Sequence, residues 1–331
     1  MAGLMAAPKG SSERQRRKVD TMAEKQQLHP DLAAFEGLRP GGLRLSPLVL
    51  GIVNSLGAIN MALHRAGKGM TRSRHRIPSP GGMADFTLYE PAGLAAGAPC
   101  LIYLHGGGFV LGDFPYSHDF AISYARALPC KVLFVRYRLA PKWPFPQGLE
   151  DCYASLVWAR DHATELGIDM TRIAVGGDSA GGCLAAALCL LSRDRGGPAI
   201  RFQMLVYPVT DRRLSTPSMK EFDNTPIWNS RLSSQMWAHY LCDGDQCLPG
   251  YASPMEAESL EGLPPAYVEI EEFDCLRDEG RAYAQRLAAS GVEVELNEIQ
   301  GSCHGFDVLS GSGIAKQAME RRYAALRANL R

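Results

Sequence analysis

The sequence predicts an α/β protein, a mostly parallel central sheet with helices packed on both of its faces. Three observations carry this expectation. Cys100-Leu-Ile-Tyr-Leu104 and Lys131-Val-Leu-Phe-Val-Arg-Tyr137 are near-continuous apolar runs of strand length, the pattern of strands buried on both sides. Helix-length stretches separate such runs along most of the chain. A glycine-bracketed turn, Gly177-Asp-Ser-Ala-Gly181, joins a short strand to an apolar helix.

Taken in order, residues 1–25 are polar and are expected to be disordered or loosely helical. Pro30 to Leu63 carries helical patterns. Within it, Pro47–Leu63 is short for a membrane span and contains Asn54, Ser55 and Asn60. Leu48, Ile52, Leu56, Ile59 and Leu63 recur at spacings of three and four, which predicts an amphipathic helix packed on protein, with contact at a membrane surface as the alternative. Arg65 to Arg76 contains no acidic residue and reads as a solvated linker, with a recognition patch as the alternative. Strands are expected at Asp85–Tyr89, Cys100–Leu104, Lys131–Tyr137, Ile173–Val175, Phe202–Tyr207, Ala266–Ile270 and Val292–Leu296. Helices are expected at Leu149–Leu166 and Ala180–Leu191. Between Asp211 and Pro264 no strand pattern occurs, and Ser230–Leu241 reads as a helix. The expected organisation is an N-terminal helical part over residues 1–78 and a catalytic domain over 79–331. The latter is interrupted by an inserted segment at about 211–260.

Composition sets limits. The 35 basic and 35 acidic residues cancel, which gives no general reason to expect nucleic acid or an anionic membrane as partner, and no stable membrane insertion is expected. A neutral small molecule suits that balance. The nine cysteines form no CxxC pair and show no zinc-like spacing with histidine, so free thiols in a reducing compartment are expected. With no signal-peptide h-region at the start, the expected location is the cytoplasm.

The chemistry concentrates in three places. G-x-S-x-G after a strand and before a helix is a nucleophile elbow, which projects the hydroxyl of Ser179 from a sharp turn at the sheet edge. His105-Gly-Gly-Gly-Phe109 follows the Cys100–Leu104 strand, and its glycines free backbone amides to face a developing oxyanion. A phosphate cradle would need a lysine or a G-x-G-x-x-G frame, and neither is there. The expected oxyanion donors are the amides of Gly107, Gly108 and Ala180, with His105 as a structural anchor. Of eight histidines only His239 and His304 follow Ser179. His239 lies in a helical pattern, whereas His304 sits in a glycine-flanked loop after the last strand, where the base belongs. Asp274 comes first after the preceding strand; Asp278 reads as a helix start, and Asp211 stands at the entrance to the insertion. Asp274 is therefore the expected orienting acid.

These motifs resemble the hormone-sensitive-lipase-like esterases and lipases in their bacterial form. The matching pieces are His105-Gly-Gly-Gly108, Tyr137-Arg-Leu-Ala-Pro141 with Phe145-Pro146, Gly177-Asp-Ser-Ala-Gly-Gly182, Asp274-Cys-Leu-Arg-Asp-Glu-Gly280 and His304-Gly-Phe306. They run in family order from about residue 80 to the end. The resemblance implies an α/β-hydrolase fold with a helical cap built from the N-terminal helices and the insertion. It implies hydrolysis of short- to medium-chain carboxylic esters without a cofactor, and the triad Ser179, Asp274 and His304. Homodimers are frequent in the family. Phe109, Trp228, Met236, Trp237 and Tyr240 are expected either to line the substrate pocket or to form cap core. The chain departs from the family at Lys142-Trp143, Cys275 and Cys303, which bears on local packing and substrate preference. Two other readings stand beside this one. A small-molecule receptor on the same fold would expect a broken triad, and an amidase would need firmer protonation of its leaving group.

Overall fold

A computed structural model describes residues 27–331; the expectation for residues 1–25 lies outside the described residues. Eight strands form one sheet: β1 (Met70–Ser79), β2 (Gly82–Pro91), β3 (Ala98–Leu104), β4 (Lys131–Arg136), β5 (Ile168–Asp178), β6 (Phe202–Val206), β7 (Ala266–Phe273) and β8 (Val294–Cys303). Their spatial order is β1-β2-β4-β3-β5-β6-β7-β8. The β1–β2 and β2–β4 pairs are antiparallel, and every later pair is parallel.

The helices are α1 (Pro47–Leu63), α2 (Pro115–Ala127), α3 (Gln147–Asp161), α4 (Ala163–Leu166), α5 (Ala180–Asp194), α6 (Pro217–Glu221), α7 (Ser230–Tyr240), α8 (Pro249–Ala252), α9 (Arg277–Ala289) and α10 (Gly313–Asn329). Helices α2 and α10 share one face, where Tyr124 and Tyr323 meet edge to face at 5.7 Å. Helices α3, α5 and α9 cover the other face. The central strands β3 and β6 are buried at every residue, as unbroken apolar runs require when helices lie on both sides. Among the described residues no helix is long and apolar enough to cross a membrane.

Four expectations change. The basic stretch is no simple linker, because from Met70 onward it is β1, hydrogen-bonded to β2 from Met70↔Pro91 to Ser79↔Gly82. It is an edge strand, where outward charges blunt pairing with other chains, so it carries no apolar alternation to read. Its His75 stacks on Phe86 at 4.9 Å. The last strand runs to Cys303 rather than ending at Leu296, its far half concealed by Asn297, Glu298 and Gln300 at the other sheet edge. The helix expected over 149–166 breaks at His162 into α3 and α4. Finally, α1 forms as expected but turns its aliphatic stripe outward: Leu50, Gly57 and Met61 are buried, while Leu48, Ile52, Leu56, Ile59 and Leu63 face solvent. The segment between Asp211 and Pro264 holds α6, α7 and α8, with no strand among its residues.

One buried ion cluster fastens the C-terminal half. Arg322 of α10 is fully buried and pairs with Glu269 of β7 and, at 2.6 Å, with Asp307 in the turn after β8. The Tyr207 hydroxyl donates to the other Asp307 oxygen at 2.8 Å, and the Tyr267 hydroxyl donates to Glu269 at 2.6 Å. Removing the cation would strand two buried carboxylates. Arg322→Ala is therefore expected to lower the unfolding free energy by about 3–5 kcal/mol, read from urea melts. A loss below about 1 kcal/mol would mean that the cluster contributes little to the fold.

Candidate active site

Ser179 occupies a backbone conformation that L-residues rarely adopt, with φ 57° and ψ −118°. The packing around it leaves no alternative. A Cβ on Gly181 would stand 2.0 Å from the Leu104 carbonyl oxygen, and one on Gly177 would stand 2.4 Å from the Gly181 backbone. Three main-chain segments thus converge where only hydrogen fits: the end of β5, the start of α5 and the end of β3. The Ser179 amide donates to the Val206 carbonyl at 2.9 Å, which ties the turn to β6.

A chain of hydrogen bonds leads away from the Ser179 hydroxyl. His304 Nε2 lies 3.0 Å from Ser179 Oγ, and His304 Nδ1 lies 2.7 Å from Asp274 Oδ2. All three residues are buried. Asp274 follows β7, and its other oxygen accepts the Leu276 amide at 3.0 Å. The alternatives are engaged elsewhere. Asp278 accepts the Ser218 amide and pairs with Arg277 and Arg281. Asp211 pairs with Arg213. The ring of His239 meets the Leu45 carbonyl at 2.6 Å.

The His304 turn is braced on several sides. Tyr207 and Trp228 approach the imidazole at 4.7 Å and 6.1 Å between ring centres. The Gly301 amide donates to Glu272 at 2.7 Å, and the Gly301 carbonyl accepts from His29 at 2.8 Å. Gly301 has φ 69°, the left-handed region that glycine enters without cost.

Next to the elbow runs the glycine loop. Gly107 and Gly108 both have positive φ, and among the described residues their amides meet no acceptor. The Ala180 amide opens the first turn of α5, where intrahelical acceptors are lacking and the helix dipole favours negative charge. A Cβ on Gly108 would strike Trp228 at 2.7 Å. His105 is buried between Phe134 and Tyr137, 5.5 Å and 4.4 Å away, and its Nδ1 bonds the Gly106 carbonyl at 2.7 Å. Burial lowers its pKa to about 4, so the ring is neutral at pH 7, as a structural anchor requires.

Asp178 is a site residue that motif reading passes over. Its Oδ2 accepts the Gly106 amide at 3.0 Å and its Oδ1 accepts the Tyr103 hydroxyl at 2.6 Å, so one side chain joins the elbow to the glycine loop. Burial raises its pKa to about 6 despite those two donors. No sequence signal links positions 106 and 178, because the contact exists only once β3 and β5 pair.

Phe109, Trp228, Met236, Trp237 and Tyr240 are all buried. Phe109 stacks on Tyr240 at 3.8 Å and meets Trp237 at 5.9 Å, a cluster beneath α7. Trp228 and Met236 instead touch the face of Gly108. Cys275 and Cys303 are buried thiols whose pKa burial pushes up, which disfavours the nucleophilic thiolate.

Comparison with known proteins gives the family. A family model described as the alpha/beta hydrolase fold matches residues 101–308. The carboxylic ester hydrolase LipN of Mycobacterium tuberculosis is 41% identical over 261 residues, covering 77% of this chain and 69% of LipN. Esterase LipI of the same organism is 39% identical over 255 residues, covering 76% of this chain and 80% of LipI. Among solved structures, a bacterial heroin esterase superposes with a TM-score of 0.83 at 37% identity, over 92% of this chain and 98% of that one. Esterase LipW from Mycobacterium marinum gives 0.84 at 33% identity, over 92% and 96%. The chain belongs to the α/β-hydrolase family, among its hormone-sensitive-lipase-like esterases.

Proposed function

We propose that this carboxylesterase cleaves short- to medium-chain acyl esters through Ser179, His304 and Asp274. The observation that supports the reading is the unbroken chain from Ser179 Oγ through both imidazole nitrogens to Asp274. In this reaction Ser179 attacks the ester carbonyl while His304 Nε2 takes its proton. Asp274 holds the Nδ1–H tautomer and stabilises the imidazolium that forms. The amides of Gly107, Gly108 and Ala180 stabilise the oxyanion. His304 returns the proton to the leaving alcohol, and the same nitrogen then activates the water that releases the acid. No cofactor takes part.

The helical stretch between Pro30 and Leu63 and the 211–260 segment form a cap over this site in the proposed arrangement, with Trp228 and Met236 facing the acyl or alcohol group. Phe109, Trp237 and Tyr240 support them from behind through the stacked cluster. Nine unpaired cysteines, seven of them buried, support a reducing, cytoplasmic setting.

Ser179→Ala and His304→Ala are each expected to lower kcat for p-nitrophenyl acetate by about three orders of magnitude or more with melting temperature preserved. Near-wild-type turnover in Ser179→Ala would refute the assignment. Asp274→Asn is expected to cost on the order of a thousandfold, and Asp278→Asn less than about tenfold. A larger loss at Asp278 would reassign the acid. Across p-nitrophenyl esters from acetate to palmitate, kcat/KM should favour butyrate or hexanoate over palmitate by about tenfold or more. A preference for palmitate would mark a lipase instead.

A further inference from the structure

Among the described residues, nothing covers one apolar face of helix α1. Leu48, Ile52, Leu56, Ile59 and Leu63 lie on one side of it, each between 53% and 74% exposed. They span about 22 Å at the rise of an α-helix. Single exposed leucines are ordinary on a protein surface, but a stripe the length of a helix is not. The helix cannot roll to hide it. On its inner side Asn54 accepts the Gly112 amide at 2.8 Å and donates to the Val110 carbonyl at 3.0 Å. Gly57 sits so close to Phe114 that a Cβ there would lie 3.0 Å from the ring.

Charge indicates what meets this face. Between positions 37 and 84 there is no Asp or Glu, but there are seven Lys and Arg: Arg39, Arg44, Arg65, Lys68, Arg72, Arg74 and Arg76. Seven of the 35 basic residues and none of the 35 acidic ones thus fall in this stretch, which leaves 28 basic and 35 acidic residues elsewhere in a chain of zero net charge. Among the described residues only Arg76 has a carboxylate within ion-pair distance, Asp85 at 3.7 Å. Helix α1 itself is uncharged, with exposed Arg44 just before it and exposed Arg65 and Lys68 just after it.

We propose that the outer face of α1 docks on an anionic lipid surface, the aliphatic stripe entering the headgroup boundary and the flanking cations meeting lipid phosphates. A second copy of the chain fits less well, because a two-fold interface centred on α1 would set the same cations against each other. The helix is too short and too firmly pinned to span a bilayer, so the contact is peripheral. This inference rests on the surface alone and not on the esterase reading.

The test is co-sedimentation of the full chain with vesicles of equimolar phosphatidylcholine and phosphatidylglycerol, compared with phosphatidylcholine alone. We expect binding to the anionic vesicles to be about tenfold tighter or more, and to weaken as salt is raised. The triple variant Ile52→Gln/Leu56→Gln/Ile59→Gln and the variant Arg44→Glu/Arg65→Glu/Lys68→Glu should each lose about tenfold in binding at an unchanged melting temperature. Two results would overturn the proposal. One is vesicle binding that is absent, or equal in wild type and both variants. The other is a dimer in sedimentation velocity that the glutamine variant abolishes, without vesicle binding.

Discussion

Close approach of three backbones at residues 104, 177 and 181 is the constraint on which the site depends. There the Leu104 carbonyl and the two glycines leave room for hydrogen alone. Ser179 is forced to a positive φ, and its hydroxyl projects from the turn between β5 and α5 instead of joining a ladder. The same contact sets the glycine loop beside the elbow, since His105 to Gly108 begin where Leu104 ends. The candidate nucleophile and the candidate oxyanion donors are thus placed by one packing event. Strain at a non-glycine positive φ costs on the order of 1–3 kcal/mol and persists only where the surroundings over-determine it. Here β6 adds a further restraint through the bond from the Ser179 amide to Val206.

Polar groups buried behind the site work to the same end. Asp178 spans from the elbow to Gly106, while Asp307 and Glu269 share Arg322 across β7, α10 and the turn that carries His304. Each of these carboxylates would be costly if left alone in an apolar interior. Paired, they restrict the relative positions of elements far apart in the chain. The imidazole is held from below by Asp274 and from the sides by Tyr207 and Trp228, so its orientation does not depend on a bound ligand.

Much of this was legible from the residues. Interior strands such as β3 and β4 announce themselves because burial on both faces demands unbroken apolar runs. Ser179 and His304 stand out through glycine patterns that only sharp turns need, and Asp274 through chain order. The edges of the sheet were harder. Strand β1 is Arg- and Ser-rich, and the far half of β8 is polar, since one side of each faces water or the rim. Helical periodicity correctly found α1, but period alone says that a face is apolar and not what covers it. The role of Asp178 has no sequence signal for a different reason. Its partners Tyr103 and Gly106 are contacts of tertiary structure, with no local pattern to betray them.

Chain folding therefore delivers one hydroxyl at a sharp turn, an imidazole within hydrogen-bond reach of it and, among the described residues, glycine-loop amides free of other partners. The account stands on Ser179 alone being activated among the many serines of the chain. Labelling with a fluorophosphonate ester, followed by peptide mass spectrometry, reads this directly. The account requires a single stoichiometric adduct on the peptide containing Ser179, absent after heat denaturation. Modification at another residue, or no adduct in the folded protein, would contradict it.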